Sequence, residues 1–184
     1  MSFFKQMALD FAQSRKELKN VRTLTGTAFL LALSVVLSLF TWVVNSYMKI
    51  GFSTLPIGVI GYLYGPFVSG LAGGLGDILR FIVRPTGQYF PGFTLDSMIN
   101  GALCGIFLYK RKPSLKNVTL YQVVSLILVS TILHNFWVSV VYGAAWYAIL
   151  PASIIKNVLK LPIDIALLYG LLKIFHKIAP SDKA

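Results

Sequence analysis

One uncharged stretch near the start of the chain covers residues 24–47, which is 24 residues. A helix rises about 1.5 Å per residue, so this stretch can cross the roughly 30 Å of hydrocarbon in a bilayer. Hydrophobic residues make up 56% of the 184 residues and charged residues only 12%, too few for a water-soluble globule of this size. The sequence therefore predicts an all-α integral membrane protein.

Further apolar segments divide the rest of the chain. They predict six transmembrane helices, at residues 24–47, 51–64, 66–83, 92–109, 120–147 and 152–178. The second segment is short for a crossing, so we expect it to be tilted, shielded by its neighbours or partly re-entrant. Turns are predicted at Gly65-Pro66, in the loop after residue 84, at Pro113-Ser114 and at Pro151.

The basic residues orient this bundle. Twelve of the 17 lie in residues 5–22, 110–116 and 173–183, which six crossings place on one side of the membrane. The positive-inside rule makes that side cytoplasmic, together with both termini. The net charge of +11 then follows from topology and anionic lipid, and no nucleic-acid partner is expected.

The first twenty residues are predicted to form a cytoplasmic segment, and residues 21–184 the membrane domain. Apolar residues recur at helical spacing near the start of this segment: Phe3, Phe4, Met7, Ala8 and Phe11. This spacing predicts a helix that lies on the inner membrane surface, while an unstructured tail is an equal alternative. The polar composition of the segment does not match a cleaved signal peptide.

Polar residues collect at one depth of the predicted bundle. A charge inside a span costs about 2.5 to 3.5 kcal/mol, so such residues usually have a function. Counted from the outer ends of their spans, the following fall in the outer half: Asp77, Arg80, Asp96, Asn100, His134, Asn135, Trp137, Lys156, Asn157, Lys160 and Asp164. This clustering predicts an outward-facing ligand pocket.

Plainer interpretations of the same residues remain open. Asp77 with Arg80, and Lys160 with Asp164, are spaced so that each pair can neutralise itself within one helix. His134 can be a hydrogen-bonded residue of the bundle, and Lys156 can extend its charge to the membrane interface. Pro162 is expected to kink the last span next to Lys160, either for packing or to expose a carbonyl group to a ligand.

The loop between the third and fourth predicted spans combines one cation with several aromatic side chains. Arg84 is followed by Tyr89, Phe90 and Phe93, among prolines and glycines. Aromatic residues at an interface often form a belt, but this density also fits the rim of a pocket for a flat, conjugated, anionic ligand.

Motifs for catalysis are missing. The sequence has no phosphate-binding P-loop, no H-E-x-x-H and no G-x-S-x-G, and its single cysteine, Cys104, cannot form an internal disulfide or a metal site alone. We therefore expect neither an enzyme nor a cofactor. Small residues form two further patterns: Ala28 and Ala32 share one face of the first span, and Gly70 and Gly74 one face of the third.

Three stretches carry a family resemblance: residues 55–66, residues 73–79, and the loop Pro85-Thr86-Gly87 with residues 89–95. They resemble the substrate-binding S components of energy-coupling-factor vitamin transporters, and within them the folate-specific branch. The resemblance covers residues 21–178. Ala28-x-x-x-Ala32 is similar to the small-residue motif with which S components dock on their scaffold subunit, so these two alanines are predicted partner contacts.

The resemblance implies a prokaryotic cell-membrane protein that captures folate outside the cell. Delivery would require a membrane scaffold subunit and two ATPase subunits as partners. For the tail carboxylates it implies the cations Arg84, Lys156 and Lys160, and for ring stacking Tyr89, Phe90, Phe93 and Trp137. For hydrogen bonds to the pterin it implies Asp77, Asp96, Asn100, His134 and Asn157.

Two other functions are compatible with the sequence. An S component for another vitamin, such as pantothenate or a thiamine precursor, would have the same architecture. A self-sufficient ion-coupled carrier could use Asp77, Asp164 and His134 as a relay, although no inverted repeat is visible in the sequence.

Overall fold

The computed structural model describes residues 3–45, 48–85, 88–143 and 146–178. These residues form a helical bundle with one short antiparallel hairpin, in which Trp42 pairs with Ile50. In chain order the elements are α1 (Phe3–Glu17), α2 (Val21–Leu39), β1 (Trp42–Asn45), β2 (Met48–Ile50), α3 (Leu55–Tyr64), α4 (Pro66–Val83), α5 (Pro91–Leu108), α6 (Leu115–Ser125), a π-helical segment (Leu126–Leu133), α7 (His134–Tyr142) and α8 (Trp146–Ile178).

The predicted helical class is confirmed. Within the described ranges, three helices are long and apolar enough to cross a membrane: Val21–Leu39, Pro66–Val83 and Leu115–Tyr142, the last being α6, the π-helical segment and α7 in one continuous helix. The helix α3 has only ten residues, about 15 Å of rise, and is buried from Leu55 to Tyr62. The prediction that this short segment is shielded by its neighbours is therefore confirmed.

Three predicted boundaries are wrong. The first span ends at Leu39, and the apolar residues from Trp42 belong to the hairpin because aromatic and β-branched residues also suit a strand. The fifth helix begins at Leu115 and ends before Gly143, whose φ of 63° is left-handed. Pro151 lies inside α8 rather than in a turn, within the first two turns of that helix. Thr86 and Gly87 of the loop and residues 179–184 lie outside the described residues.

The closest packing in the bundle joins α4 to α5. A Cβ atom on Gly73 would lie 2.2 Å from the carbonyl oxygen of Ser97, and one on Gly101 would lie 2.2 Å from that of Ser69. Since only glycine permits this approach, the two backbones come within reach of each other's polar groups. The hydroxyl of Ser69 then donates a hydrogen bond of 2.7 Å to the carbonyl of Gly101.

The N-terminal helix α1 is attached to the junction between α3 and α4. The fully buried hydroxyl of Ser14 donates to the carbonyl of Tyr64 at 2.7 Å. It also accepts from the amides of Phe67 and Val68, both at 3.1 Å, which are among the first amides of α4. Gly65, which precedes α4, has no side chain that could cap the helix. Ser14 therefore supplies the missing N-cap from another helix.

A single methyl group tests the α4–α5 contact. Gly101→Ala should lower the free energy of unfolding by about 1–3 kcal/mol, because its Cβ would overlap a backbone carbonyl that cannot turn away. The measurement is thermal unfolding of the purified chain in detergent micelles.

Gly170→Ala is the matched control. Apart from the local backbone of α8 and the two neighbouring residues, no atom of the described residues lies within 4 Å of the Cβ position on Gly170, which is in α8. This change should therefore be neutral or stabilise the chain by up to about 1 kcal/mol. Equal stability of the two variants would contradict the close packing described above.

Candidate ligand-binding cavity

A cavity of about 380 Å³ lies between the C-terminal ends of α2 and α4, the loop before α5 and its first turns, the helix formed by the π-helical segment and α7, and α8. This volume is within the range of about 300–1,000 Å³ typical of small-molecule sites. Most of the residues that the sequence predicted for the site line it. They are Asp77, Arg84, Tyr89, Phe90, Phe93, Asp96, His134, Lys156, Asn157 and Lys160.

The other two predicted site residues are not among those that line this cavity. Trp137 packs its ring against Phe90, with 5.5 Å between centroids. Asn100 lines a second, smaller chamber of about 130 Å³ that adjoins the first. We call the larger space the main cavity and the smaller one the inner chamber.

The Asp77 carboxylate fastens α4 to α5. It accepts hydrogen bonds from Thr94 at 2.9 Å and from Ser97 at 3.3 Å, and lies 3.8 Å from the guanidinium of Arg80. These bonds depend on the glycine contact between the two helices, which brings the polar faces together. Tyr89 lies 3.2 Å from the Thr94 hydroxyl and so extends the same network to the rim.

Asp96 fastens α5 to α7 in the same way. Its Oδ1 accepts a hydrogen bond from the Trp137 indole at 3.1 Å, and its Oδ2 lies 3.5 Å from Nδ1 of His134. The ring of His134 also packs on Phe93, with centroids 5.2 Å apart. One wall of the main cavity is therefore a continuous layer of aromatic rings held in place by a buried acid.

Asn135, which follows His134 in the sequence, is not among the residues that line the cavity. It is fully buried, donates to the carbonyl of Thr131 and accepts from Ser153 of α8 at 2.9 Å. Its role is to join two helices. Because it is next to His134 in sequence but turned about 100° around the helix, it faces a different neighbour.

Arg80 of α4 and Arg84, which directly follows α4, bind to α2 and to the segment after it. Arg80 donates to the Ser34 hydroxyl at 3.0 Å and to the carbonyl of Ser53 at 3.4 Å. Arg84 donates to the carbonyls of Ser38, Leu39 and Thr41, which lie at the C-terminal end of α2 and just beyond it. A cation at this end of a helix satisfies exposed carbonyl groups and opposes the helix dipole.

Several polar lining residues were absent from the predicted set. Arg80 had a visible signal, since it is a charge inside a span, whereas no motif marked the polar residues that contribute from α2, the loops and the π-helical segment. These residues are Ser38, Thr41, Ser53, Thr54, Gln88 and Ser130.

The charges around the main cavity are mostly paired. Arg80 pairs with Asp77, His134 lies against Asp96, and Lys160 Nζ lies 3.0 Å from Asp164. The self-neutralising pairs that the sequence allowed are therefore formed. Arg84 and Lys156, by contrast, have no carboxylate within 4.0 Å among the described side chains.

Together these features define a class of protein. The chain is an apolar helical bundle whose main cavity is bounded by aromatic rings and by two cations without a carboxylate partner among the described residues. Such a cavity can bind an aromatic anion, and the bundle around it has the apolar surface of a membrane protein.

Comparison with known proteins identifies the family. The profile of the family described as ECF transporter, substrate-specific component matches residues 22–172. The chain belongs to this family, so the assignment made from the sequence is confirmed.

Two relatives that are similar to this chain in sequence are named folate transporters. The folate transporter FolT of Clostridium novyi is 29% identical over 172 residues, 90% of this chain and all of the relative. FolT of Leuconostoc mesenteroides is 28% identical over 79% of this chain and 81% of its own. A crystal structure of FolT bound with folic acid superposes with a TM-score of 0.79 at 31% identity, covering 85% of this chain and 95% of that one.

The bond between Trp137 and Asp96 can be tested without a ligand. Trp137→Phe keeps an aromatic ring but removes the indole donor, so the free energy of unfolding should fall by about 1.5–3 kcal/mol, as for other hydrogen bonds to charged groups. Thermal unfolding in detergent measures this.

The same substitution is then made in an Asp96→Asn background. There it should have a smaller effect, since the acceptor is no longer charged. An identical loss in both backgrounds would show that the indole stabilises the wall by packing alone.

Proposed function

We propose that this chain is the folate-binding subunit of an energy-coupling-factor importer. It is a multi-pass protein of a prokaryotic cell membrane, with six crossings and both termini in the cytoplasm. The main cavity faces outward and takes up folate. A membrane scaffold subunit and two ATPase subunits then drive its delivery into the cell. Family membership and the folate-bound structure of a relative support this proposal.

The main support for folate as the ligand is that two cations in the wall of the main cavity have no carboxylate partner among the described residues. Folate ends in a glutamate tail with two carboxylates, and Arg84 and Lys156 are the two lining cations without a carboxylate partner among the described residues. Both cations are half-buried, and a dicarboxylate would neutralise both. Lys160 adjoins them and can turn from Asp164 toward a ligand.

The aromatic wall suits the flat parts of the same molecule. Phe90 and Phe93 line the cavity, with Trp137 packed against Phe90 and Tyr89 at the rim. We assign these rings to stacking. Hydrogen bonds to the pterin fall to Asp77, Asp96, Asn100, His134 and Asn157, whose side chains surround the main cavity or the adjoining inner chamber.

The docking face for the scaffold lies on α2. Ala28 and Ala32 are exposed on one side of this helix, while Ser34 and Ser38 are buried on another side, where the two arginines bind. A lipid-facing helix with small residues at i and i+4 lets another helix approach closely. We propose that the scaffold subunit packs against these two alanines.

Removal of one unpaired cation tests the binding site. In Lys156→Met the ligand would keep a carboxylate without a partner in a poorly solvated site, at a cost of about 2–5 kcal/mol. Folic acid affinity, measured by calorimetry in detergent, should therefore fall at least about tenfold.

Two comparisons make this result specific. Lys173→Met removes the same charge from an exposed position on α8 outside both cavities and should leave the affinity unchanged. The parent chain is also titrated with pantothenate, thiamine and riboflavin. Tighter binding of any of these than of folic acid would refute the folate assignment.

A bulky residue on the docking face should separate binding from transport. Ala32→Trp should leave folic acid affinity unchanged but reduce uptake into vesicles that contain the scaffold and ATPase subunits. A steric clash that costs more than about 1.4 kcal/mol lowers the association constant of the two helices more than tenfold.

Ala166→Trp is the control, because Ala166 is exposed on α8, away from the proposed docking face. Uptake should persist in this variant. Unimpaired uptake by Ala32→Trp, or uptake by the chain without ATPase subunits, would exclude the proposed division of labour.

A further inference from the structure

The π-helical segment lies in the middle of a continuous helix that runs from Leu115 to Tyr142. It covers Leu126–Leu133, and the amide that follows it, that of His134, still donates to the carbonyl of Val129, five residues back. Helices of this kind are rare, mostly a single turn long, and frequent at functional sites. This one ends directly before His134, which lines the main cavity.

The helix contacts α5 both before and after this segment. Before it, the hydroxyl of Ser125 donates to Asn100 at 2.5 Å. After it, His134 lies 3.5 Å from Asp96, which also accepts from the indole of Trp137. Asp96 and Asn100 are one turn apart on α5 and share a face of that helix. Ser125 and His134 must therefore both face α5, although they are nine positions apart.

An unbroken α-helix cannot meet this requirement. At 3.6 residues per turn, nine positions make about two and a half turns, which puts Ser125 and His134 on opposite faces. The i to i+5 bonds of a π-helix place about one residue more in each turn, so nine positions make about two full turns. The π-helical segment therefore brings His134 to the face on which Ser125 lies.

The apolar residues nearby show what this turn changes. An α-helix continued from Ser125 would present Ile132 and Phe136 to α5, since they follow at about two and three turns. In the structure both are exposed, at 49% and 52%, and they line neither cavity. With α-helical geometry His134 would take their place on the outside of the bundle, and a polar ring that faces lipid is costly.

A threonine hydroxyl stabilises the wider turn. The Oγ1 of Thr131 donates to the carbonyl of Leu126, five residues back, at 2.8 Å. In an α-helix a threonine reaches the carbonyl three or four residues back. Thr25 of α2 does so, since its Oγ1 donates to the carbonyls of Val21 and Arg22. The bond of Thr131 thus matches the spacing of a π-helix.

We propose that the π-helical segment positions one wall of the main cavity. It turns α7 so that His134 and Trp137 meet Asp96, and Thr131 is a positioning residue that stabilises this geometry. The two halves of the helix are about half a turn out of α-helical register with each other. The inference concerns the wall itself, and only its effect on folic acid affinity rests on the proposed function.

Cross-linking between α5 and this helix tests the register without a ligand. Three cysteine pairs are made in a Cys104→Ser background: an inner pair (Asn100→Cys with Ser125→Cys), an outer pair (Asp96→Cys with His134→Cys) and a control pair (Asp96→Cys with Phe136→Cys). The chains are treated in detergent with a short bifunctional thiosulfonate. Trypsin cleavage at the basic residues 110–112 then shows, on a non-reducing gel, whether α5 stays linked to the later helices.

The inner and outer pairs should both link in the parent chain, and the control pair should not. An unbroken α-helix predicts the reverse for the last two pairs, because it presents Phe136 rather than His134 to α5. Linking of the control pair in place of the outer pair would overturn the proposal.

Two deletions distinguish the geometries more sharply. Removal of the exposed residues Ile127 and Leu128 leaves seven positions between Ser125 and His134, almost two full turns of an α-helix. α-Helical turns can then replace the π-helical ones without a change of face, so the outer pair should still link. Removal of Leu128 alone leaves eight positions and an error of about 80°, so the outer link should be lost while the inner link remains.

Folic acid affinity should follow the same pattern. Calorimetry on the deletion variants without added cysteines should show a loss of at least about tenfold when Leu128 alone is removed, because His134 and Trp137 leave the wall. The two-residue deletion should stay within about threefold of the parent. An α-helix would turn by about 200° on loss of two residues, so loss of the outer link and of affinity in this variant would contradict the proposal.

Thr131 is tested by a matched pair of substitutions. Thr131→Val removes the hydroxyl and should lower the yield of the outer link, whereas Thr131→Ser keeps the hydroxyl and should retain the yield. Equal yields in the two variants would show that Thr131 does not position the wall. If a deletion variant does not fold, the links in the parent and in these two variants decide. Failure of the parent chain to bind folic acid, with both links formed, would refute the proposed function and leave the register as proposed.

Discussion

The close contact between α4 and α5 is the constraint on which the rest of the site depends. Glycines at positions 73 and 101 bring backbone against backbone, and the hydroxyl of Ser69 then bonds the carbonyl of Gly101. One turn further along α4, Asp77 meets the hydroxyls of Thr94 and Ser97 because the helices are this close. A methyl group at the contact would move the wall of the cavity as well as the helices.

Most of the charges around the cavity are paired with one another. In a medium of low polarity an ion needs a partner, and three acids of this site have one in Arg80, His134 or Lys160. Arg84 satisfies the end of α2 but has no carboxylate, and Lys156 has none either within the described part of the chain. Two acids of the site thus join helices to one another, and Arg84 and Lys156 are the cations that we propose bind the ligand.

Most of the predicted site residues line the cavity, because a charge inside an apolar span is costly unless a partner or a ligand compensates it. Periodicity and depth placed Asp96 and Lys156 at one level without any structure. The same two criteria put Trp137 in the site, whereas in the structure its indole donates to Asp96 and its ring is not among those that line the cavity. Depth also placed Arg80 in the predicted polar layer, although no ligand-binding role was assigned to it. Which face of a helix looks inward depends on its neighbours, and these are remote in sequence.

Helical class, apolar segments, the polar layer and the family were all determined by the sequence itself. They follow from hydrophobicity and local periodicity, which a linear chain displays directly. The tertiary structure alone decided that Ser14 caps α4, that Arg84 caps α2, and that Asn100 and Asp164 share an inner chamber. Each of these contacts joins residues more than 40 positions apart, and their meeting is set by how closely the helices pack, which no local pattern records.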